Sequence, residues 1–463
     1  MKCLSFLYIF SIICLPLRVT SEENWTELFN GKNLNDWRVL NGTAKYEVKD
    51  GILRGISVLH TPNTFLATEQ EFSDFILEYE ARLDSGLNSG VQARSKSVPE
   101  FRNGRVHGYQ VELDASPRGW SGGLYDEAGR GLLYNLECNP KAKSAYKPED
   151  WNHFRIEMIA THIRVWMNGM QTVDMIDDKM TSGFVALQVH SINNDTMKAG
   201  KSVQFRNIRI CTKNLDKQSK PITEDIPQIC YLLSELTERE KKEGWRLLWD
   251  GNTTNGWRGA KLDQFPTKEW KIEDGILSVI KGTGAESEFG GDIITVDKYR
   301  NFELELDFKY TEAAKSGIKY FVDPELNKGK GSAIGCEYQI VDDENHTVAS
   351  KPENVTHRLA SLYDLIPADA LYYAPNESTH KRYNKDNWNR AKIIVNGYHV
   401  EHFLNGIKVV DYTRRNQMWH AFVAKSKYAK WPNFGEPDEG HILLQDHGDV
   451  VYYKNLKIKK LTD

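Results

Sequence analysis

The chain of 463 residues repeats itself. Trp25-Thr-Glu-Leu-Phe-Asn-Gly, followed by Asn35-Asp-Trp37-Arg, recurs as Trp245-Arg-Leu-Leu-Trp-Asp-Gly, followed by Asn255-Gly-Trp257-Arg. Tyr46-Glu-Val-Lys-Asp-Gly-Ile-Leu returns as Trp270-Lys-Ile-Glu-Asp-Gly-Ile-Leu, and Asp150-Trp-Asn-His-Phe-Arg-Ile as Asn387-Trp-Asn-Arg-Ala-Lys-Ile. Leu187-Gln-Val-His matches Leu444-Gln-Asp-His, and the copies close on Phe205-Arg-Asn-Ile-Arg-Ile and Tyr453-Lys-Asn-Leu-Lys-Ile. The order is the same throughout. The chain is therefore read as two copies of one domain, 22–212 and 244–463, rather than the three domains its length alone suggests.

Each copy alternates with a period of two. Phe75-Ile-Leu-Glu-Tyr-Glu-Ala-Arg-Leu and Phe302-Glu-Leu-Glu-Leu-Asp-Phe-Lys-Tyr are charged on one face and apolar on the other, as half-buried strands are. Asn168-Gly169 and Asn405-Gly406 mark hairpin turns between apolar runs. Long amphipathic helical periods are absent. Many short antiparallel strands in about 200 residues predict an all-β chain of two tandem β-sandwiches with jelly-roll character. Residues 213–243 read as a linker, polar from Asn214 to Gln228, with Pro221 and Pro227. A capping box, Thr237-Glu-Arg-Glu240, and a stop at Gly244 predict a short helix at its end.

Residues 1–21 have a basic start, a short apolar run and small residues before Glu22, the pattern of a secretory signal. The expected location is outside the cytoplasm, secreted or periplasmic. No stretch is long enough to span a bilayer. Cys138, Cys211, Cys230 and Cys336 remain outside the leader. Cys211 and Cys230 bracket the linker and are the expected disulfide pair, the alternative being four isolated thiols. A formal net charge of −4 gives no electrostatic reason for nucleic acid as a partner.

The sequence contains no H-E-x-x-H, Walker A or G-x-S-x-G pattern. Polar residues cluster on strand faces instead. Gly108-Tyr-Gln-Val-Glu-Leu-Asp puts Gln110, Glu112 and Asp114 on one side. The second copy puts Glu337 and Gln339 together. Gln188 and His190 share a face, as do Gln445 and His447. Arg94 and Lys319 lie in the matching segments Ser89-Gly-Val-Gln-Ala-Arg and Ser316-Gly-Ile-Lys-Tyr-Phe. One such residue means an exposed sheet face; the recurrence on three matching strands in both copies points to a concave site. Glu112-Leu-Asp114 suggests the E-x-D-x-x-E strand of glucanases, but Pro117 stands at the third carboxylate and Gln339 replaces the first Glu in the second copy. A retaining glycosidase needs two carboxyl groups about 5–5.5 Å apart, and this motif supplies them in neither copy.

Both halves resemble the 3-keto-disaccharide hydrolase domain family, a group related in fold to concanavalin A-like lectins and glucanases. The carriers are the strand segments above together with Trp120-Ser-Gly-Gly-Leu-Tyr-Asp-Glu, Gly183-Phe-Val-Ala-Leu-Gln-Val-His-Ser, Ala360-Ser-Leu-Tyr-Asp-Leu-Ile-Pro and Gly440-His-Ile-Leu-Leu-Gln-Asp-His-Gly. The resemblance implies cleavage of glycosides oxidised to a ketone at C3. That ketone acidifies the C2 proton, so elimination of the C1 aglycone and rehydration replace direct displacement, with one base, one oxyanion stabiliser and an acid. In the second copy the expected catalytic residues are His447 or Glu337 as base and Lys319 as enolate stabiliser, with Gln339, Tyr363, Gln445 and Asp446 contacting sugar. In the first they are His190, Glu112 and Arg94, with Gln110, Asp114, Gln188, Trp120 and Tyr125 contacting sugar. The expected partner is an oligosaccharide or glycoside; oligomeric state stays open. Asp446, His447 and Glu337 match no standard ligand spacing, so neither metal nor cofactor is expected. The competing reading is a lectin-like binder using the aromatic residues, including Tyr372 and Tyr373.

Overall fold

The computed structural model describes residues 24–282, 287, 291–369, 383–385 and 387–462. Residues 1–21, the expected leader, and Tyr372 and Tyr373 lie outside the described residues. The chain is all-β, with four sheets of nine, seven, eight and five strands among the described residues. Two sheets come from the first repeat and two from the second.

In each repeat the alternation seen in sequence closes one core between two sheets. Leu77, Tyr79, Phe154, Ile156, Val165 and Phe205 from the nine-stranded sheet meet Leu66, Val91, Tyr109, Val111 and Leu187 from the seven-stranded one. In the second repeat Leu304, Phe308, Ile393 and Val395 meet Ile318, Tyr320, Tyr338 and Leu444. Each such side chain contributes about 1.5–3 kcal/mol by leaving water, so the sandwich halves hold each other. The hairpins predicted at Asn-Gly form: φ is +49° and +84° at Asn168 and Gly169, and +50° and +80° at Asn405 and Gly406. Positive φ at both central residues is the type I′ geometry that matches strand twist.

The linker is more than a polar tether. Its Ile229–Cys230 segment pairs in parallel with the Met170–Ile176 strand, Met175 facing Ile229, and so covers that sheet edge. The capping box forms as read: Thr237 Oγ1 accepts from Glu240 N (3.1 Å), and Glu240 Oε2 accepts from Thr237 N (2.8 Å). The second repeat also carries a helix over Gln417–Lys425, capped by Asn416 accepting from Trp419 N at 2.8 Å, which the sequence reading did not foresee.

The expected Cys211–Cys230 disulfide does not form; all four cysteines are free. Cys230 lies on one edge of the nine-stranded sheet, and Cys211 lies five strand spacings away in the sheet order. At about 4.8 Å per spacing that is roughly 24 Å, far beyond the reach of a disulfide.

Candidate functional site

The seven-stranded sheet of the first repeat uses its second face for polar side chains. Val91, Tyr109, Val111 and Leu113 enter the core, which turns Gln92, Gln110 and Glu112 the other way. The ladder sets Gln92 opposite Gln110, Gly90 opposite Glu112, and Gln110 opposite Tyr125. Gln92 Nε2 donates to Gln110 Oε1 at 2.6 Å, and Gln110 Nε2 donates to Glu112 Oε1 at 2.8 Å. Gly90 makes the room: a Cβ there would lie 2.5 Å from Gln110 Cγ. The face opens into a cleft of about 440 Å³ lined by Gln110, Glu112, Trp120, Tyr125 and His190, with Asn88, Arg105, Arg118 and Glu127. Five residues expected from the sequence thus share one cavity.

Its electrostatics separate an acid from a base. Glu112 is buried, and loss of hydration, reinforced by Asp114 and Glu127, outweighs hydrogen bonds from Gln110 and Asn88 and pushes its carboxyl up to about 8. It is a neutral carboxylic acid at pH 7, a proton donor. His190 stands at the solvent-exposed mouth with Nδ1 2.7 Å from Ser191 O. The carbonyl can only accept, which assigns the proton to Nδ1 and the free lone pair to Nε2. Desolvation by the cleft walls, with Arg118 and Lys198 repelling a proton, lowers its pKa. The imidazole is an uncharged base at neutral pH.

Not every expected contact faces this cleft. Asp114 accepts from Ser116 N (2.9 Å), Ser116 Oγ (2.8 Å) and Arg118 Nε (3.1 Å), so it holds the following turn and is not among the lining residues. Arg118, so held, lies with Cζ 4.3 Å from the centroid of the Trp120 ring. Gln188 is fully buried, and neither of its amide atoms has a hydrogen-bond partner among the described residues. Such a group costs about 1–3 kcal/mol where it stays unpaired, and its burial keeps it out of the cleft lining.

Arg94 is the main correction in this repeat. A bulge between Ala93 and Lys96, with φ +49° at Arg94, takes its side chain off the polar face. The buried guanidinium donates to Ser73 O (2.6 Å), Ala160 O (2.7 Å) and Asp74 Oδ1 (2.8 Å), closing the end of the sandwich away from Glu112. The same bulge recurs at Phe321, φ +53°. Register therefore pairs Lys319 with Gln92 as counterparts, and not with Arg94.

The second repeat gathers a different set. A cleft of about 450 Å³ is lined by Gln339, Tyr363 and His447, with Lys315, His346, His357 and Asp449. Lys319 and Glu337, expected beside His447, are not among its lining residues. Glu337 shares the strand face of Gln339 but is buried, with Lys319 Nζ 3.7 Å away. Lys319 also donates to Ser332 Oγ and to Ala333 O (3.2 Å). Its charge is thus directed into the fold. Gln445 is buried, donating its backbone N–H to Gly317 O at 3.0 Å. Asp446 accepts from Gly448 N (2.8 Å) and stabilises that turn. Lys315 and Lys427 Nζ lie 4.6 and 4.2 Å from the Tyr363 ring centroid, so the ring is flanked by cations. Among the described residues one trio has metal-ligand spacing, His399, Glu401 and Asp411. Lys408 already donates to both carboxylates, at 2.9 and 2.7 Å, and supplies the positive charge.

Residues missed in sequence are mostly loop-borne. Arg105 and Arg118 reach the first cleft from turns, and His346 and His357 reach the second from the segment between strands. No periodicity marks such positions.

A family model described as "3-keto-alpha-glucoside-1,2-lyase-like domain" matches residues 24–211 and again 244–459. A 3-keto-disaccharide hydrolase of Bacteroides thetaiotaomicron is 36% identical over 239 residues, spanning 47% of this chain and 79% of that protein. The crystal structure of a candidate glycosyl hydrolase of Parabacteroides distasonis is 29% identical, covering 50% of this chain and 100% of the other, with a TM-score of 0.42. A second from the same organism is 24% identical over 47% of this chain and 99% of the other, TM-score 0.34.

Proposed function

The chain belongs to the 3-keto-alpha-glucoside-1,2-lyase-like family, and from that premise we propose that it cleaves 3-keto-glycosides, 3-keto-disaccharides among them, in the cleft of its first repeat. The observation that carries this reading is the pairing of Glu112, kept protonated at neutral pH, with an uncharged His190 in one cavity.

His190 Nε2 takes the C2 proton, and the C–H electrons move to give the C2–C3 enolate. The enolate then re-forms the C3 ketone while a C1–C2 double bond forms and the C1–O bond breaks. Glu112 protonates the departing aglycone oxygen. Water adds back, hydroxyl to C1 and proton to C2, so the net change is hydrolysis. Arg118, at the cleft wall, takes the enolate-stabilising part expected of Arg94. Trp120 and Tyr125 supply apolar sugar contacts, and Gln110 supplies an amide. No second carboxylate at glycosidase spacing is required. In this proposal the 1–21 leader exports the enzyme.

The second repeat has Gln339 where the first has Glu112. An amide cannot donate the leaving-group proton, so this cleft binds carbohydrate without running the same elimination.

The test is incubation of the full chain with a 3-keto-disaccharide and with its unoxidised parent. Release of the aglycone sugar from the ketone alone is expected. Comparable turnover of the unoxidised parent would sink the mechanism, since no acidified C2 proton would then be needed.

A further inference from the structure

The first repeat's cleft is not built by the first repeat alone. Asn384, from the second repeat, lines it beside Gly129 and Gly131. Its placement is tightly determined. Asn384 Nδ2 donates to Arg130 O and to Trp388 O (3.1 Å), and its own backbone is tied to Asn389 by bonds of 2.7 Å in each direction. Asn387 Nδ2 adds a bond to Gly129 O at 3.0 Å. Arg130 and Arg390 also both contact the Tyr231 ring, their Cζ atoms 5.2 and 4.2 Å from its centroid. The Asp126–Gly131 turn is thereby fixed to the second repeat. Gly131, at φ +79°, allows the approach, since a Cβ on it would sit 2.7 Å from Asn384 Oδ1. With Nδ2 used twice, Oδ1 remains an acceptor that no donor among the described residues occupies.

The ladder gives Asn384 an address within the cleft. His190 follows the Gly183–Val189 strand at the Asp114 end of the His107–Asp114 strand, while Glu127 lies opposite Gly108 at the other end. Glu112 stands between them. From Glu112 to the level of Glu127 is four residues along the strand, about 13 Å at 3.3 Å per residue, which leaves room beyond the acid for a second sugar ring.

We infer that Asn384 is a specificity-determining residue of the first cleft, accepting a hydrogen bond from a hydroxyl of the aglycone sugar, so that the second repeat selects disaccharides over glycosides of small alcohols. This rests on the reading that the first cleft is the catalytic one. In the full chain, Asn384→Ala is expected to raise KM for a 3-keto-disaccharide by about 3–10-fold, the size of one neutral hydrogen bond, with kcat and the kinetics of a 3-keto methyl glycoside unchanged. Equal losses on both substrates, or none on either, would overturn the inference. Asn387→Ala removes the neighbouring clamp but not the acceptor; the same selective loss in that variant would also overturn it, since the turn and not the contact would be responsible. If the wild type cleaves neither substrate, the proposed function fails, and calorimetry decides the inference separately. Weaker disaccharide binding by Asn384→Ala than by wild type supports the contact, and equal binding removes it.

Discussion

Glu112 and Gln339 occupy one position in two copies of a fold: Glu112 faces Gly90 across its ladder, and Gln339 faces Gly317 across the matching one. A single exchange of carboxyl for amide separates a site able to donate a proton from one that cannot. Glu112→Gln should therefore lower kcat on a 3-keto-disaccharide by about 10²–10⁴-fold, the usual cost of a lost general acid. The same variant should melt at a higher temperature than wild type at pH 8, because it removes a carboxyl that burial makes costly to ionise. Turnover within a few-fold of wild type would remove Glu112 from the mechanism.

The acid and base also fix a pH profile. The proposed elimination needs Glu112 protonated, so kcat/KM should fall with an apparent pKa near 8. It needs His190 neutral, so the acid limb should lie below the ordinary histidine value of 6.5. Stability moves with the first group. Burial raises the Glu112 carboxyl from the ordinary glutamate value of 4.5 to about 8 in the fold, so between these pH values the native state holds a proton that the unfolded chain has lost. Its contribution to stability is complete below about pH 4.5, declines by up to about 1.4 kcal/mol per pH unit, and is gone above about pH 8. Urea titrations from pH 5 to 9 on wild type and Glu112→Gln measure it; a flat difference would show that Glu112 is not held protonated.

His190→Ala tests the base. Elimination and rehydration in D₂O should place deuterium at C2 of the released 3-keto sugar, read by mass spectrometry or NMR. His190→Ala should slow both release and label incorporation by about 10²–10⁴-fold. Retained C2 hydrogen with undiminished turnover would mean direct displacement at C1.

The two-copy organisation, the sandwich and most of the first cleft were legible because they depend on period-two alternation and self-similarity. Gln110, Glu112 and His190 announce themselves as polar residues on faces whose other side is Val111, Leu113 and Val189. What was not legible depends on backbone irregularity and on partners distant in sequence. A bulge at Arg94 reverses a side chain that strict alternation would leave on the site face. Lys319 looks like an available cation until Ser332 and Ala333 are brought to it by a loop. Asn384 lies 272 positions from Glu112 in the numbering, and no pattern within either repeat links them.

Arg94 gives the sharpest test of that correction. If it were the catalytic cation, Arg94→Met would fold normally and lose turnover. The structure assigns it the opposite behaviour. Its guanidinium is 1% exposed and satisfies Ser73 O and Ala160 O while pairing with Asp74 at 2.8 Å. Methionine fills much of the same space but gives up the guanidinium's hydrogen bonds to Ser73 O and Ala160 O, each about 0.5–1.5 kcal/mol net, since both carbonyls belong to exposed residues that water can reach. The Asp74 pairing adds little, because that carboxylate is half exposed and screened. Arg94→Met should therefore lower stability by about 1–3 kcal/mol in urea denaturation, while the protein that remains folded keeps kcat and KM within about 3-fold of wild type. Wild-type stability with a 10²-fold lower kcat would restore Arg94 to the active site and displace Arg118 from the role proposed for it.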